Sequence, residues 1–518
     1  MSSFFRLSSR WLATLAIVVP WLNPVAYGPL PPLIQWLLTL LCASVLLWML
    51  ALRKLDGSAL AVASARGFLL AALVSSVIGV LQYFGVSDAL APLVNATGPG
   101  DAFANLRQRN QFATLTNIGL AALLWWAPLL PNEELVSIHI RWRAAFLVIF
   151  AALLAVGNAT TSSRTGLLQL LLLGVFVGVW NRSEQNAPKP TPVRLPVQLI
   201  LVALLSYGLA SFAFPWLVGM DAVSHNSVGR LVQGDRLCAS RITLWNNVLY
   251  LITHKPWLGW GWGELSYAHY ITLYPVTRFC EILDNAHNLP LQLAVELGVP
   301  AAVLLCGGAF VLTVRARPWR ERDPLNRVAW AVLGVILLHS MLEYPLWYGP
   351  FLLAAILCIT VLWRSPSVRR LATPTKSLPA IATMAMGLAA LTLLAFVSYA
   401  AWDYHRVSQI FMRPSERTSA YRDDTLAKLR GSWLFRKQVG YAELTTTPVT
   451  ASNVTEKHAL ALELLHFSPE PRVIEKLIES SGQLGLDDEV QAHTQRFKAA
   501  FPDEYLQWQG TRGTCCGR

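Results

Sequence analysis

The sequence predicts an all-α polytopic membrane protein of about eleven spans, and three observations support that prediction. Hydrophobic residues make up 54% of the 518 residues and charged residues only 14%, with a mean hydropathy of +0.43. Polar groups are therefore too few to cover a soluble surface. Apolar runs long enough to cross about 30 Å of hydrocarbon as helix recur along the chain. One long polar segment, about 217–288, interrupts them.

The apolar runs give the order of the predicted spans. They lie near 11–29, 32–52, 66–85, 112–130, 143–158, 165–180, 195–216, 289–313, 327–344, 348–364 and 380–402. The first follows a short basic stretch but lacks a small-x-small cleavage site, so we expect an uncleaved anchor. Cys42, Cys306 and Cys358 fall inside spans, where a thiol acts as a small apolar filler.

Lysine and arginine are distributed unevenly between alternate loops, which predicts the orientation. With the N-terminus inside, the richer set is Arg6, Arg10, Arg53, Lys54, Arg66, Arg141, Arg143, Arg182, Lys189, Arg194, Arg315, Arg317, Arg320, Arg322, Arg327, Arg364, Arg369, Arg370 and Lys376. The opposite set is Arg107, Arg109, Arg164, Arg230, Arg236, Arg241, Lys255 and Arg278. The richer set is expected in the cytoplasm. This topology also accounts for most of the net charge of +12, so we expect no nucleic-acid partner.

The predicted organisation is a membrane unit, 1–402, followed by an extracytoplasmic tail, 403–518. The membrane unit carries an outer loop at about 86–111, whose Gly, Pro and Asn residues break helices, and a longer polar outer loop at about 217–288. In the tail, apolar residues recur at three- and four-residue intervals, and Pro469, Gly485 and Pro502 separate the repeats. We expect a small set of amphipathic helices there; helical-hairpin repeats remain an open alternative.

Three arginines on the outer side form a candidate anion site: Arg109, Arg164 and Arg241. A guanidinium is a planar, permanently charged fork that fits phosphate oxygens, and several near a lipid surface indicate a lipid phosphate or pyrophosphate. For each one singly, snorkelling to the headgroup region is the alternative. Snorkelling explains the three arginines together less well, because charged residues at span ends on the translocated side are disfavoured unless they have a function.

His287 is the candidate acid or base, since it lies where the polar loop meets an apolar helix. Imidazole can accept a proton from a hydroxyl near neutral pH. Asp284 and Asn285 are close enough in sequence to orient its ring, although a lone histidine near a helix start is more often structural. The sequence contains no HExxH, Cys-x-x-Cys or G-x-S-x-G motif and no Asp-x-Asp near an outer span end, so we predict no metal site.

Two cysteines, Cys238 and Cys280, share the long outer loop. If that loop is periplasmic, its compartment is oxidising and the pair can form a disulfide that braces the loop. Two free thiols remain the alternative.

Five segments, in order, resemble the O-antigen ligase and polymerase superfamily. They are RQRNQFATLTNIGLAALLW, SSRTGLLQLLLLG, SRITLWNNVLYLITHKPWLGWGWG, DNAHNLPLQLAVELGVPAAVL and HSMLEYPLWYGPFLLAAIL. The NQFA, DNAHN and HSMLEYPLWY elements and the helical tail look most like the PglL-type bacterial protein O-oligosaccharyltransferases. The resemblance covers most of 100–365 and, we expect, the tail.

This resemblance implies transfer of a preassembled glycan from undecaprenyl pyrophosphate to Ser or Thr hydroxyls of periplasmic or pilin-like proteins, without a cofactor. It implies that His287 is the essential histidine and that Arg164 and Arg241 bind the pyrophosphate. Gln111 and Tyr344 match positions associated with activity in the protein-glycosylating branch, whereas Arg109 is added from its placement alone. The implied location is the bacterial inner membrane, with the active site facing the periplasm.

Other functions stay open at this point. Within the superfamily, ligation of glycan to lipid A core and polymerisation of O-antigen use the same donor and similar motifs. A polyprenyl-lipid transporter would place ionisable groups near mid-membrane, whereas here they gather at outer span ends. A purely structural membrane scaffold leaves the arginines without explanation.

Overall fold

A computed structural model describes residues 2–26, 28–127, 140–185, 194–220, 237–364 and 380–515. Every regular element in these ranges is helical, which confirms the all-α class. Several residues named above lie outside the described ranges: Lys189, Arg230, Arg236, Arg369, Arg370 and Lys376, with 221–236 of the long loop.

The described helices, numbered in chain order, are α1 (Ser2–Leu22), α2 (Pro31–Ala51), α3 (Gly57–Tyr83), α4 (Arg109–Trp125), α5 (Ile140–Ala159), α6 (Arg164–Gln185), α7 (Arg194–Leu217), α8 (Arg241–His254), α9 (Leu265–Ile271), α10 (Leu289–Leu297), α11 (Val299–Ala316), α12 (Pro324–Ser340), α13 (Gly349–Arg364), α14 (Ala380–Ser408), α15 (Thr425–Leu429), α16 (Arg436–Thr446), α17 (Val454–Phe467), α18 (Pro471–Gln483), α19 (Asp487–Ala500) and α20 (Pro502–Cys515). They divide into two compact units. The first is Met1–Ala26, Leu30–Gly234 and Val311–Ser398, and the second is Tyr27–Pro29, Asp235–Phe310 and Tyr399–Arg518.

Helix α4 is the centre of the first unit, because every residue from Gln111 to Trp125 is buried. Small residues let its neighbours approach closely: a β-carbon added at Gly119 would lie 2.2 Å from the β-carbon of Ala72 in α3. A helix whose surface is apolar on every side must be covered by apolar neighbours on every side. Its few polar side chains are therefore enclosed by other helices, and they become important at the functional site.

Seven described helices are long and apolar enough to cross a membrane: Pro32–Ala51, Gly57–Tyr83, Trp142–Ala159, Arg164–Gln185, Leu195–Leu217, Val299–Arg320 and Ala380–Phe411. Two shorter apolar helices are Pro324–Ser340 and Gly349–Arg364. The chain is a multi-pass membrane protein. The count of eleven spans, and the division into a membrane unit and a periplasmic tail at 402/403, remain predictions.

The apolar run 289–313 is two helices, α10 and α11, rather than one. Gly298 lies between them with a φ of +88°, a conformation open to glycine but strained for other residues. Val299 and Pro300 follow, and a proline disfavours helical backbone at the residue before it. The residues that carry His287 therefore lead into a short separate helix.

In the second unit, the tail forms helices where the sequence predicts them. Helix α17 ends at Phe467, and Gly485 takes a φ of +70° between α18 and α19. Pro502 opens α20. Tyr270 of α9 is buried in the same hydrophobic core as the tail helices, so the loop and the tail share one folded body.

Candidate functional site

The first predicted arginine, Arg164, is the first residue of α6, as its position at the start of a predicted span suggested. The hydroxyl of Ser163 accepts a hydrogen bond from the backbone N–H of Gly166 at 3.0 Å and so caps the helix. Ser162 has a φ of +49°, which turns the chain sharply just before the cap. The Arg164 side chain is thus attached at the N-terminus of α6, which is the positive end of the helix dipole.

Asn110 joins this cap to a carboxylate 233 residues further along the chain. The Ser163 hydroxyl donates to Oδ1 of Asn110 at 2.6 Å, and Nδ2 of Asn110 donates to Oε1 of Glu343 at 3.0 Å. Glu343 is 6% exposed and also accepts from Nε2 of Gln108 at 2.8 Å. We call Gln108, Asn110, Ser163 and Glu343 the cap network.

The cap network brings together three of the predicted site residues. Arg164 follows Ser163, Gln111 follows Asn110, and Tyr344 follows Glu343, so each is the chain neighbour of a network member. Tyr344 is half-buried, and its ring stacks at 5.9 Å from that of Tyr348.

Gln111 is fully buried, and neither its Nε2 nor its Oε1 has a hydrogen-bond partner among the described residues. A buried amide without partners costs roughly 1–3 kcal/mol per unsatisfied group, so such groups usually have a missing ligand or water.

Arg109, the first residue of α4, has a partner within the protein. Its Nε donates to Oδ1 of Asp101 at 2.6 Å, and its side chain is 41% exposed. A phosphate would have to share this guanidinium with the carboxylate. Its role in anion binding remains a prediction.

A second buried polar group lies deeper in the first unit, and sequence reasoning did not select it. Thr114 Oγ1 lies 2.9 Å from Nδ1 of His339, which is fully buried, and Nε2 of Gln169 donates to the same hydroxyl at 3.0 Å. These contacts join α4, α6 and α12. The signal was present in the sequence, since His339 opens the HSMLEYPLWY segment.

In the second unit, Arg241 repeats the arrangement of Arg164. It is the first residue of α8, and the hydroxyl of Ser240 accepts from the N–H of Thr243 at 3.2 Å. Both arginines therefore follow a capping serine. Just before this cap, Cys238 and Cys280 form a disulfide with their Cα atoms 5.4 Å apart.

His287 lies in an unusual backbone conformation, with a φ of +50°. For a residue with a β-carbon this costs about 1–3 kcal/mol, and such strain concentrates at functional sites. Three hydrogen bonds hold the backbone of Ala286 and His287. Asn285 Oδ1 accepts from the N–H of His287 at 2.9 Å, Gln292 Oε1 accepts from the N–H of Ala286 at 2.7 Å, and Trp245 Nε1 donates to the carbonyl of Ala286 at 3.1 Å.

The contacts of Asn285 and Asp284 differ from the expectation that they orient the imidazole ring. Asn285 bonds to the backbone of His287 in a local turn, because its short side chain reaches only two residues ahead. Asp284 is exposed and forms no hydrogen bond or ion pair with the described residues. Asn285 thus sets the turn, and Asp284 has no contact that would align the histidine.

Two glycines bring the WLGWGWG loop against the end of α10. A β-carbon on Gly259 would lie 2.3 Å from the carbonyl oxygen of Glu296, and one on Gly298 would lie 2.1 Å from the carbonyl oxygen of Trp257. The N–H groups of Trp260 and Gly261 donate to the carbonyls of Val295 and Glu296 at 2.8 and 3.0 Å. The sequence contains the glycine repeat of this loop, but it does not indicate that the loop packs against the end of α10.

Another histidine of the second unit, His269, is unsuited to act as a base. Burial, helped by the Arg278 guanidinium, lowers the pKa of His269 to about 3. Its Nδ1 lies 2.8 Å from the hydroxyl of Tyr274, and its Nε2 lies 3.3 Å from the carbonyl of Phe279. It is a satisfied core histidine.

Three family models match this chain, and together they include the predicted site residues. "Protein glycosylation ligase" matches residues 102–127, with Arg109 and Gln111. "O-Antigen ligase" matches 147–306, with Arg164, Arg241 and His287. "Virulence factor membrane-bound polymerase, C-terminal" matches 328–513, with Tyr344 and the tail.

Two relatives from Acinetobacter baylyi are similar over about half of the chain. The "General O-oligosaccharyltransferase" is 26% identical over 293 residues, which are 54% of this chain and 47% of the relative. The "ComP-specific O-oligosaccharyltransferase" is 24% identical over 268 residues, 50% of this chain and 44% of the relative. The chain thus spans less than half the length of each. These matches confirm that it is related to the O-antigen ligase family and, within it, to the PglL-type protein O-oligosaccharyltransferases.

Proposed function

We propose that this protein is an O-linked oligosaccharyltransferase of the bacterial inner membrane. It moves a preassembled glycan en bloc from undecaprenyl pyrophosphate to Ser or Thr hydroxyls of periplasmic or pilin-like proteins. The order of the three matched models and the names of the two relatives support this reading.

The observation that carries the proposal is the shared placement of Arg164 and Arg241. Each is the first residue of a helix behind a capping serine. A cation there is repelled by the positive end of the helix dipole, whereas an anion is attracted by both the dipole and the guanidinium. A pyrophosphate leaving group gains negative charge as its bond to the sugar breaks, so preplaced guanidinium groups stabilise the transition state most.

His287 is proposed as the general base. A Ser or Thr hydroxyl is a weak nucleophile, and a base within hydrogen-bond reach lowers the barrier as the O–H bond weakens. The proton goes to the imidazole, the hydroxyl oxygen forms a bond to the anomeric carbon, and that carbon's bond to the pyrophosphate oxygen breaks. Gln111, buried next to Asn110 in α4, is proposed as a supporting residue of the site.

The test of the base is His287→Ala, assayed with purified lipid-linked glycan and a pilin-like acceptor. The rate should fall by roughly 10²-fold or more, the scale for removing a positioned base, while donor lipid still binds. His254→Ala, at the exposed end of α8, is the matched control and should be active. Normal turnover of His287→Ala, or loss with EDTA that a divalent ion restores, would refute the mechanism.

The arginines are tested by replacement with lysine, which keeps the charge and removes the fork. Arg164→Lys and Arg241→Lys should each lose most activity while the protein still folds. Arg109→Lys should lose less, because Asp101 already holds its Nε. Near-normal turnover of both first variants would mean that the pyrophosphate binds elsewhere.

Ligation to lipid A core and polymerisation are the competing activities, since two of the matched models describe a ligase and a polymerase. One purified lipid-linked glycan offered to a pilin-like protein and to lipid A core separates them. Glycan on the protein supports the proposal, whereas glycan on lipid A core or longer glycan chains would assign a different acceptor.

A further inference from the structure

A large cavity in the first unit lies apart from the cap network. It opens between α1, the end of α2, the start of α3 and the middle of α14, and its volume is about 1360 Å³. Pockets that hold drug-sized molecules are usually about 300–1,000 Å³, so this one suits a larger ligand.

The rim of the cavity is cationic. Arg10 of α1 and the consecutive Arg53 and Lys54 after α2 all line it and are exposed. Asp56 is the only acidic residue among the described lining residues, and its carboxylate accepts from Ser58 Oγ and from the N–H of Ala59 at 2.7 Å each. Asp56 is thereby committed to capping α3, and three cations face one anion.

A defined backbone turn at the end of α2 holds the two consecutive basic residues, Arg53 and Lys54. Arg53 has a φ of +54°, and the N–H of Lys54 donates to the carbonyl of Met49 at 3.0 Å. This closes α2 with a turn in which glycine is the usual residue. Arginine in that place costs roughly 1–2 kcal/mol of backbone strain.

The walls below the rim are apolar and open. Trp48 and Leu41 of α2 are 41% and 38% exposed, and Leu391 and Leu394 of α14 are 52% and 41% exposed. The two helices are joined by Ser44 Oγ, which donates to the carbonyl of Ala390 at 2.8 Å. From Leu41 to the rim, α2 rises by about 16 Å, a depth that an acyl chain can follow.

We propose that this cavity binds one anionic glycerophospholipid. Its phosphate pairs with Arg10, Arg53 and Lys54, and an acyl chain lies along the wall formed by Trp48 and Leu391. Basic pockets between helices on the cytoplasmic side recognise such headgroups, and guanidinium–phosphate pairs add geometric specificity. The leaflet follows from the proposed orientation, in which these three residues face the cytoplasm; the glycosyl-transfer proposal is not needed.

The test is native mass spectrometry of the full-length protein in detergent, with phosphatidylglycerol and phosphatidylcholine of identical acyl chains as probes. One phosphatidylglycerol should bind at least about tenfold more tightly than phosphatidylcholine, since each of the three surface cations is expected to contribute up to about 1 kcal/mol. The triple variant Arg10→Gln, Arg53→Asn, Lys54→Gln should lose this preference. Asparagine is chosen at 53 because it tolerates the left-handed turn.

Two further variants separate the parts of the site. The control Arg315→Gln, Arg320→Gln, Arg322→Gln removes three exposed cations outside the cavity and should keep the preference. Leu391→Trp fills the wall, keeps every charge and should weaken phosphatidylglycerol binding. Equal binding of the two lipids, or equal effects of the two triple variants, would overturn the proposal. Full competition by inorganic phosphate with no effect of Leu391→Trp would do the same, by indicating a phosphate site without an acyl chain.

Discussion

One substitution in the cap network should lower the rate of glycan transfer without unfolding the protein. Asn110→Ala removes the donor to the Glu343 carboxylate and the acceptor of the Ser163 hydroxyl. The first bond, to a charged group, is worth about 1.5–3 kcal/mol and the second about 0.5–1.5 kcal/mol, roughly 2–4.5 kcal/mol together. Glu343 and Ser163 keep their bonds to Gln108 and Gly166, so we expect the helix packing to survive.

If even half of that free energy positions Arg164 in the transition state, the rate falls about 5- to 40-fold, since 1.4 kcal/mol is a factor of ten. The assay is the initial rate of glycan transfer, with thermal unfolding in detergent to correct for the folded fraction. The matched control is Asn117→Ala, two turns deeper in α4, which also removes buried hydrogen bonds, to the carbonyls of Ala113 and Gly166. Equal losses of activity in the two folded variants would refute the positioning role.

Three further predictions concern the disulfide, the tail and the topology. Mass spectrometry of unreduced peptides should recover the Cys238–Cys280 pair, and two alkylated free thiols would contradict it. Burial lowers the pKa of His493 from 6.5 to about 4. Because the folded state keeps this imidazole neutral, its stabilising contribution is complete above about pH 6.5, and up to ~3 kcal/mol is lost as pH falls towards 4. The hydrogen-exchange protection factors of α19, which are corrected for the intrinsic pH dependence of amide exchange, should therefore fall with acid in the wild type and much less in His493→Gln. Reporter fusions after Trp402 and after Arg370 should report opposite compartments, and identical signals would refute the topology.

Local patterns predicted the parts of this molecule that depend on neighbouring residues. The start of α6 at Arg164 and the tail helices around Gly485 and Pro502 rest on signals within short stretches. The hydropathy pattern predicted the helical class, because a helix that crosses a membrane makes all of its backbone hydrogen bonds within itself.

The contacts that assemble the candidate site could not be predicted in this way. Asn110 is separated from Ser163 by 53 residues and from Glu343 by 233, and no periodicity encodes such pairings. The role of Asn285 was missed for a different reason: its reach to the His287 backbone depends on a left-handed turn that composition does not specify. The division of 289–313 could have been predicted, because Gly298 and Pro300 mark it in the sequence.

The break at Gly298 also bears on how the chain matches the thickness of the bilayer. Helix α11 has 18 residues, about 27 Å, close to the roughly 30 Å hydrocarbon thickness. A continuous helix from Leu289 to Ala316 would be about 42 Å long and would have to tilt steeply or thicken the membrane. With the break, α11 fits the bilayer alone, and the protein rather than the lipid sets the direction of α10. The angle at which His287 is presented is therefore insulated from changes in membrane thickness, and lipids with longer or shorter acyl chains should leave it unaltered.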